Sequence, residues 1–127
     1  MIDKIKILLV EDSPEDVKYA SIQLKQAFGD AHSLQTSDYF SKASKLIAEN
    51  TFDVIILDLC LPDSRGLETF RALANSTAAP IIIYSGLSDD AVKVEAMKAG
   101  ACHYLIKGET SAPELKQCIL GVLTVGG

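Results

Sequence analysis

Four short apolar runs of this 127-residue chain lead into residues that could do chemistry together. The residues that end or follow these runs are Glu11 and Asp12, Asp58, Ser85, and Lys107. If the runs lie side by side, three carboxylates, one hydroxyl and one ammonium group meet. Two carboxylates about 4 Å apart repel by roughly 4 kcal/mol at an effective dielectric constant near 20. One lysine cannot neutralise three acids, so the set predicts a bound divalent cation.

The expected chemistry of this set is phosphoryl transfer. Carboxylate oxygens favour Mg²⁺ or Mn²⁺ over zinc. A cation and a lysine around a carboxylate make a receptor for a phosphoryl group, an aspartate can act as the nucleophile, and the Ser85 hydroxyl could donate to a phosphoryl oxygen. The sequence has neither of the glycine-rich motifs that cradle nucleotide phosphates. A single acid at a strand end is usually a turn or cap residue, so the joint pattern carries the prediction.

The elements that must hold these groups are short buried strands alternating with amphipathic helices. The predicted strands are Ile5–Val10, His32–Thr36, Val54–Asp58, Ile81–Tyr84 and Cys102–Ile106, with the second at a sheet edge. The predicted helices are Pro14–Phe28, 40–50, Leu67–Leu73, Ala91–Ala99 and Pro113–Leu123. A β-α unit repeated five times indicates an α/β fold with a parallel sheet covered on both faces. Functional groups in such folds gather beyond the carboxyl ends of the strands.

The first helix carries clear end signals. Ser13 is a typical N-cap residue and Pro14 suits the first turn, while Asp16 fits a variant of the capping box. Gly29 is expected to end the helix.

Composition predicts one domain over residues 1–127. Apolar residues make up 48% and charged residues 23%, which excludes disorder, and the net charge of -5 argues against a nucleic-acid-binding surface. The three cysteines lack disulfide or zinc spacing and are expected to be reduced and mostly buried. The first apolar run is too short for a signal peptide or a membrane span, so we expect a cytoplasmic protein with no membrane contact.

Four segments together resemble the receiver domain of bacterial two-component response regulators, over nearly the whole chain. The segments are Ile7-Leu-Leu-Val-Glu-Asp-Ser-Pro, Asp53-Val-Ile-Ile-Leu-Asp-Leu-Cys-Leu-Pro-Asp-Ser-Arg-Gly-Leu-Glu, Pro80-Ile-Ile-Ile-Tyr-Ser-Gly and Gly100-Ala-Cys-His-Tyr-Leu-Ile-Lys. The resemblance implies a flavodoxin-like (βα)5 doubly wound sandwich, with a five-stranded parallel sheet of order 2-1-3-4-5; a receiver of this family is a standard example of that order.

The same resemblance implies roles for the acidic residues. Asp58 is similar to the phosphoacceptor. Asp12 resembles the direct ligand of Mg²⁺ (or Mn²⁺), and Glu11 resembles its water-mediated neighbour. The backbone carbonyl of Cys60 is implied as a further metal ligand. Such a domain is not a conventional enzyme, but a phosphoacceptor that catalyses its own phosphorylation and dephosphorylation.

The remaining implied roles concern switching. Lys107 resembles the lysine that pairs with the phosphoryl group, and Ser85 the hydroxyl residue that moves towards it. Tyr104, three residues before Lys107, is similar to the aromatic switch residue that turns inward behind the hydroxyl residue on activation. The implied donor is a sensor histidine kinase or a histidine phosphotransfer domain. A downstream effector or a second copy of the chain is expected at the face formed by the fourth helix, the fifth strand and the fifth helix.

The sequence departs from the family pattern at several positions. Gly108 follows Lys107 where the family usually has proline after a cis bond, and a cis bond before glycine costs about 2.5–4 kcal/mol, so we expect a trans bond. Cys60 and Leu87 occupy two positions that influence dephosphorylation, and neither side chain readily orients a water molecule. We therefore expect slow self-dephosphorylation. The unusual loop at 61–68 is expected to change the surface and not the chemistry.

Two other functions stay open at this point. A degenerate receiver could act as a phosphorylation-independent interaction module, although such domains typically lose a residue equivalent to Asp58 or Lys107. A flavodoxin-like phosphatase with an aspartyl nucleophile would be expected to have a second aspartate where Cys60 stands. The sequence ends just after the last predicted helix, so we expect either a stand-alone receiver or a piece of a larger regulator.

Overall fold

A five-stranded parallel sheet forms the centre of the computed structural model, which describes residues 4–126. The strands are β1 (Ile5–Val10), β2 (His32–Ser37), β3 (Val54–Leu57), β4 (Ile81–Ser85) and β5 (His103–Ile106). Their order across the sheet is β2-β1-β3-β4-β5. This is the predicted order, and β2 is the predicted edge strand because, within residues 4–126, it pairs with β1 alone.

Five helices of the described part of the chain cover the two faces of the sheet. They are α1 (Pro14–Phe28), α2 (Phe40–Glu49), α3 (Leu67–Ala74), α4 (Asp90–Lys98) and α5 (Ala112–Gly126). Successive side chains of β1 point to opposite faces of the sheet, and they show which helices cover each face. Ile7 and Leu9 pack with residues of α1 and α5, whereas Leu8 and Val10 pack with residues of α2, α3 and α4. The predicted flavodoxin-like sandwich is confirmed.

One small element was not predicted. After β3 the chain forms a short antiparallel hairpin, in which Cys60–Leu61 pairs with Ser64–Arg65 before α3 begins. Gly66 lies between this hairpin and α3 with a φ of 74°, a backbone conformation that favours glycine. The hairpin begins two residues after Asp58, so it shapes the loop beside the predicted phosphoacceptor.

The prediction for the first helix is half right. The Asp16 N–H donates to Ser13 Oγ at 3.4 Å, so Ser13 is the N-cap as predicted. The helix ends at Gly29, as predicted, and Gly29 has a φ of 56°. The reciprocal hydrogen bond of a capping box is replaced by another contact, because the Ser13 N–H donates to Glu11 Oε2 at 3.1 Å. The Asp16 carboxylate is therefore available for a different partner.

The expectation that the cysteines are mostly buried is wrong. Cys60 is exposed in the hairpin, and Cys102 and Cys118 are only partly buried at the edge of the core shared by α1 and α5. All three are free thiols. Among residues 4–126, no helix combines the length and the apolar character that crossing a membrane requires.

Candidate functional site

The register of the central strands brings the predicted acidic residues together. Val10 of β1 lies opposite Leu57 of β3, so the next residues, Glu11 and Asp58, leave the sheet side by side. The Asp58 N–H donates to the Val10 carbonyl at 3.0 Å and fixes this arrangement. Glu11, Asp12 and Asp58 each offer one carboxylate oxygen, and these oxygens all lie within 4.8 Å of one another. We call these three residues the acidic cluster.

Burial makes the acidic cluster electrostatically costly without a cation. The exposed fraction is 3% for Glu11 and 6% for Asp58, whereas Asp12 faces solvent. Burial raises the pKa of Glu11 to about 7, although hydrogen bonds from Lys107 and from the Ser13 N–H act in the opposite direction. An all-oxygen set of carboxylates that is partly open to solvent fits Mg²⁺ or Mn²⁺. The cluster could therefore hold a metal ion.

Lys107 lies beside the acidic cluster and contacts three carboxylates. Its Nζ is 3.1 Å from Asp58 Oδ2 and 3.0 Å from Asp16 Oδ2, and it also donates to Glu11 Oε1. Partial burial disfavours the charged form, but the hydrogen bonds to Glu11 and Asp16 outweigh it and raise the pKa of Lys107 above its usual range. Lys107 is therefore a permanent cation in this site.

Asp16 is a site residue that the sequence reasoning missed. The local pattern indicates only a role in the cap of α1, but the Asp16 carboxylate reaches Lys107 across 91 positions of sequence. One signal could have indicated this contact. Because α1 begins three residues after Glu11, its first turn must lie above the carboxyl ends of the strands, where Lys107 also emerges.

Ser85 and Tyr104 meet at the backbone of Leu87. Ser85 Oγ accepts the Leu87 N–H at 3.3 Å, and Tyr104 Oη donates to the Leu87 carbonyl at 2.8 Å. Tyr104 is buried, and it packs in the core on the side of α2, α3 and α4. The backbone N–H of Lys107 donates to the Ser85 carbonyl at 2.8 Å. The loop at 85–87 is thus hydrogen-bonded both to the side chain of Tyr104 and to the backbone of Lys107, which directly follows β5.

Two backbone features beside the site lie at positions where the sequence departs from the receiver pattern, Cys60 and Gly108. The Cys60 N–H donates to Asp58 Oδ1 at 3.3 Å, so the hairpin residue orients the carboxylate. Every peptide bond between residues 4 and 126 is trans, and the predicted trans bond at Lys107–Gly108 is confirmed. Gly108 has a φ of 84°, which explains why glycine suits this turn.

A buried series of hydrogen bonds holds the loop that follows Lys107, and no sequence pattern indicates it. Tyr84 Oη donates to Gln23 Oε1 at 2.6 Å, and Gln23 Nε2 donates to the Thr110 carbonyl at 2.7 Å. All three residues are buried. Burial raises the pKa of Tyr84 to about 12, so its hydroxyl stays a donor at neutral pH. This series of hydrogen bonds connects α1, β4 and the loop before α5.

Comparison with known proteins identifies the family. A sequence model described as the response regulator receiver domain matches residues 7–119. The chain belongs to this family. Receiver domains are phosphoacceptor parts of two-component systems, and they work with histidine kinases and effector domains. The degenerate-receiver hypothesis gains no support, because the acidic cluster, Ser85 and Lys107 are all present at one edge of the sheet.

Two regulatory proteins are each 33% identical to this chain over the residues that align. The transcriptional regulatory protein KdpE of Mycobacterium tuberculosis is 33% identical over 101 residues, which cover 80% of this chain and 43% of KdpE. The gliding motility regulatory protein of Myxococcus xanthus is 33% identical over 119 residues, which cover 91% of this chain and 15% of that protein. The chain therefore spans less than half the length of either relative.

Solved receiver domains share the fold over almost their full length. A receiver domain protein from Clostridium thermocellum superposes with a TM-score of 0.83 at 25% identity, covering 96% of each chain. The BeF3-activated N-terminal receiver domain of RstA from Klebsiella pneumoniae gives a TM-score of 0.80 at 26% identity, covering 92% of this receiver and 97% of that chain.

Proposed function

We propose that this receiver accepts a phosphoryl group on Asp58 from a phosphohistidine donor, in a reaction that requires Mg²⁺ or Mn²⁺. The observation that carries the proposal is the setting of Asp58, a nearly buried carboxylate between the acidic cluster and the ammonium group of Lys107. Glu11, Asp12, Asp58 and the backbone carbonyl of Cys60 would hold the cation. When bound, the cation offsets negative charge on the carboxylates and on the incoming phosphoryl group.

The transfer step uses one carboxylate oxygen of Asp58 as the nucleophile. An O–P bond forms as the P–N bond of the donor breaks, and its electron pair stays on the imidazole nitrogen. The leaving ring is neutral because it carries its proton on the other nitrogen. Lys107 would donate to a phosphoryl oxygen and offset its charge. The Cys60 N–H keeps the Asp58 carboxylate oriented through Oδ1.

The proposed signal passes through the loop at 85–87. The Ser85 hydroxyl is 3.3 Å from the Leu87 N–H, and turning towards a phosphoryl oxygen would end that contact. Leu87 also accepts the hydrogen bond of Tyr104, so a shift of this loop changes the setting of the tyrosine. The loop at 85–87 precedes α4, and Tyr104 belongs to β5, so both lie next to the face formed by α4, β5 and α5. Val94 and Met97 of α4 are exposed on this face. We propose this face for an effector or for a second copy of the chain.

Acetyl phosphate tests the proposal without a known kinase. With Mg²⁺, intact-mass analysis is expected to show one added phosphoryl group on the wild type, and none on Asp58→Asn or in the presence of EDTA. Asp30→Asn is the matched control, because Asp30 is an exposed aspartate with the same change of charge. No gain on the wild type, or a gain that persists in Asp58→Asn, would favour the interaction-module hypothesis.

A further inference from the structure

The ammonium group of Lys107 has no N–H left over for a phosphoryl oxygen. A lysine ammonium carries three donors. In this structure three carboxylates accept from it, those of Glu11, Asp16 and Asp58. Under the proposed function, Lys107 must give up one of these partners when the phosphoryl group arrives.

Asp16 differs from the other two partners in position and exposure. Glu11 and Asp58 belong to the acidic cluster, whereas Asp16 lies on the first turn of α1 and outside the cluster. The side chain of Asp16 is 43% exposed, compared with 3% for Glu11 and 7% for Asp58. Water can therefore solvate the Asp16 carboxylate once Lys107 leaves it, while water has little access to the carboxylates of Glu11 and Asp58. Asp16 is the partner that costs least to release.

We propose that Asp16 is a positioning residue that holds Lys107 back from the phosphoryl site until a phosphoryl group displaces it. The inference rests on the proposed function, since it needs Asp58 to carry the phosphoryl group. Asp16 does not contact the reacting atoms itself. It acts through Lys107, whose ammonium group it shares with the acidic cluster.

The proposal predicts opposite effects on two ligands. Without the Asp16 carboxylate, Lys107 pairs more fully with Glu11 and Asp58, so it competes better with a cation and Mg²⁺ binds more weakly. At saturating Mg²⁺ the same lysine is free to meet a phosphoryl analogue, so beryllofluoride binds more tightly. Half-exposed ion pairs have modest strength, so each dissociation constant is expected to change about threefold to fivefold. Loss of structure alone would weaken both ligands.

The experiment compares Asp16→Asn with Glu15→Gln. Glu15 is the exposed neighbour on the same helical turn, and its variant loses the same charge while it leaves Lys107 untouched. Mg²⁺ and then beryllofluoride are titrated against each protein, and amide shifts in two-dimensional NMR report binding. Asp16→Asn is expected to show weaker Mg²⁺ binding and tighter beryllofluoride binding, and Glu15→Gln is expected to stay within about twofold of the wild type. Asp16→Ser is a second variant that also removes the carboxylate. Like Asp16→Asn, it keeps the backbone N–H that donates to Ser13 Oγ, and it is expected to give the same result.

A Lys107→Ala background tests the route of the effect. If Asp16 acts through the lysine, the change from Asp16→Asn disappears in that background. Equal behaviour of Asp16→Asn and Glu15→Gln, or weakening of both ligands, would show the inference to be wrong. Failure of the wild type to bind beryllofluoride at all would instead count against the proposed function.

Discussion

The carboxylate of Asp63 caps a helix to which it does not belong, because its Oδ1 accepts the Phe40 N–H at 2.7 Å. Its other oxygen accepts the Ser41 N–H at 3.0 Å. Phe40 is the first residue of α2, and Tyr39 before it supplies no side-chain cap. The hairpin loop after Asp58 is therefore fastened to the start of α2, and the departure from the family pattern at 61–68 has a structural role as well as a surface one.

Loss of this cap is expected to lower the melting temperature. Asp63→Ala leaves two N–H groups at the start of α2 without their acceptor, so Tm should fall by a few degrees at pH 7. Desolvation opposes ionisation, but the hydrogen bonds from Phe40 and Ser41 lower the pKa of Asp63. Its stabilising effect is thus present above the ordinary carboxyl pKa and is lost as the pH falls through the lowered value.

Thermal unfolding at pH 7 and at pH 3 checks this prediction. The difference between wild type and Asp63→Ala should be smaller at pH 3 than at pH 7, because pH 3 lies below the ordinary carboxyl pKa of 3.8 and the stabilising effect decreases from there as the pH falls. Asp63→Asn keeps one acceptor and should lie between them. Equal melting of Asp63→Ala and wild type at pH 7 would contradict the role of the cap.

The sequence predicted the parts of the fold that depend on local pattern. Short apolar runs gave β1, β3 and β4 because strands buried on both faces have that pattern, and parallel strands end at the same edge. The same argument predicts that Glu11 and Asp58 lie together, as they do in the structure. The helix ends at Ser13 and Gly29 followed from the same kind of local rule.

The contacts that the sequence did not predict join distant segments. Asp16 and Asp63 are both acids near helix starts, and local rules assign each one to its own neighbourhood. Their true partners lie 91 and 23 positions away. Gln23 likewise meets Thr110 across 87 positions. Such pairs depend on how α1 and the hairpin pack over the strand ends. Sequence spacing places the first turn of α1 there, but it does not show which side chain contacts Lys107.

The stability of the metal-free protein is expected to fall between pH 5 and pH 8. Burial raises the pKa of Glu11 from its ordinary value of 4.5 to about 7, so the folded protein binds more protons than the unfolded chain in that range. Stability therefore decreases as the pH rises, by on the order of 2 kcal/mol. Lys107 does not titrate in this range because its pKa is raised above its usual value. Urea unfolding with EDTA at several pH values measures the slope.

Glu11→Gln is the variant that tests this assignment. It removes the titrating carboxyl group, so most of the decrease between pH 5 and pH 8 should disappear. Saturating Mg²⁺ should also restore the wild-type stability at pH 8, since a cation that binds only the folded form stabilises it. The same slope in Glu11→Gln and the wild type would assign the pH dependence to another group.

The series of hydrogen bonds formed by Tyr84, Gln23 and Thr110 is expected to stabilise the loop after Lys107. Gln23→Leu leaves the Tyr84 hydroxyl and the Thr110 carbonyl without their partner in a buried place, which should cost about 2–4 kcal/mol in urea unfolding. Tyr84→Phe removes one hydrogen bond and should cost about 1 kcal/mol. Because both changes disrupt one network, the double variant should lose less than the sum. Strict additivity would show that the two contacts are independent.

Self-dephosphorylation is expected to be slow, with a phosphoprotein lifetime well beyond seconds. Cys60 and Leu87 are exposed beside the site, and neither side chain readily orients a water molecule towards phosphorus. Cys60→Asn supplies an amide that can hold such a water, and it should shorten the lifetime several-fold in a phosphate-decay assay. Cys60→Ala adds no such group and should decay like the wild type. A wild-type lifetime of seconds would refute the prediction.

Lys107→Ala is expected to separate phosphorylation from switching. Asp58 and the acidic cluster remain, so acetyl phosphate with Mg²⁺ should still label part of the protein. The lysine that would link the phosphoryl group to β5 is absent, so the shift of the loop at 85–87 and of Tyr104 should be lost. Two-dimensional NMR with beryllofluoride measures this response, and Lys116→Ala, an exposed lysine of α5, is the control that should respond like the wild type. Identical shift changes in Lys107→Ala and the wild type would show that the conformational response does not pass through Lys107.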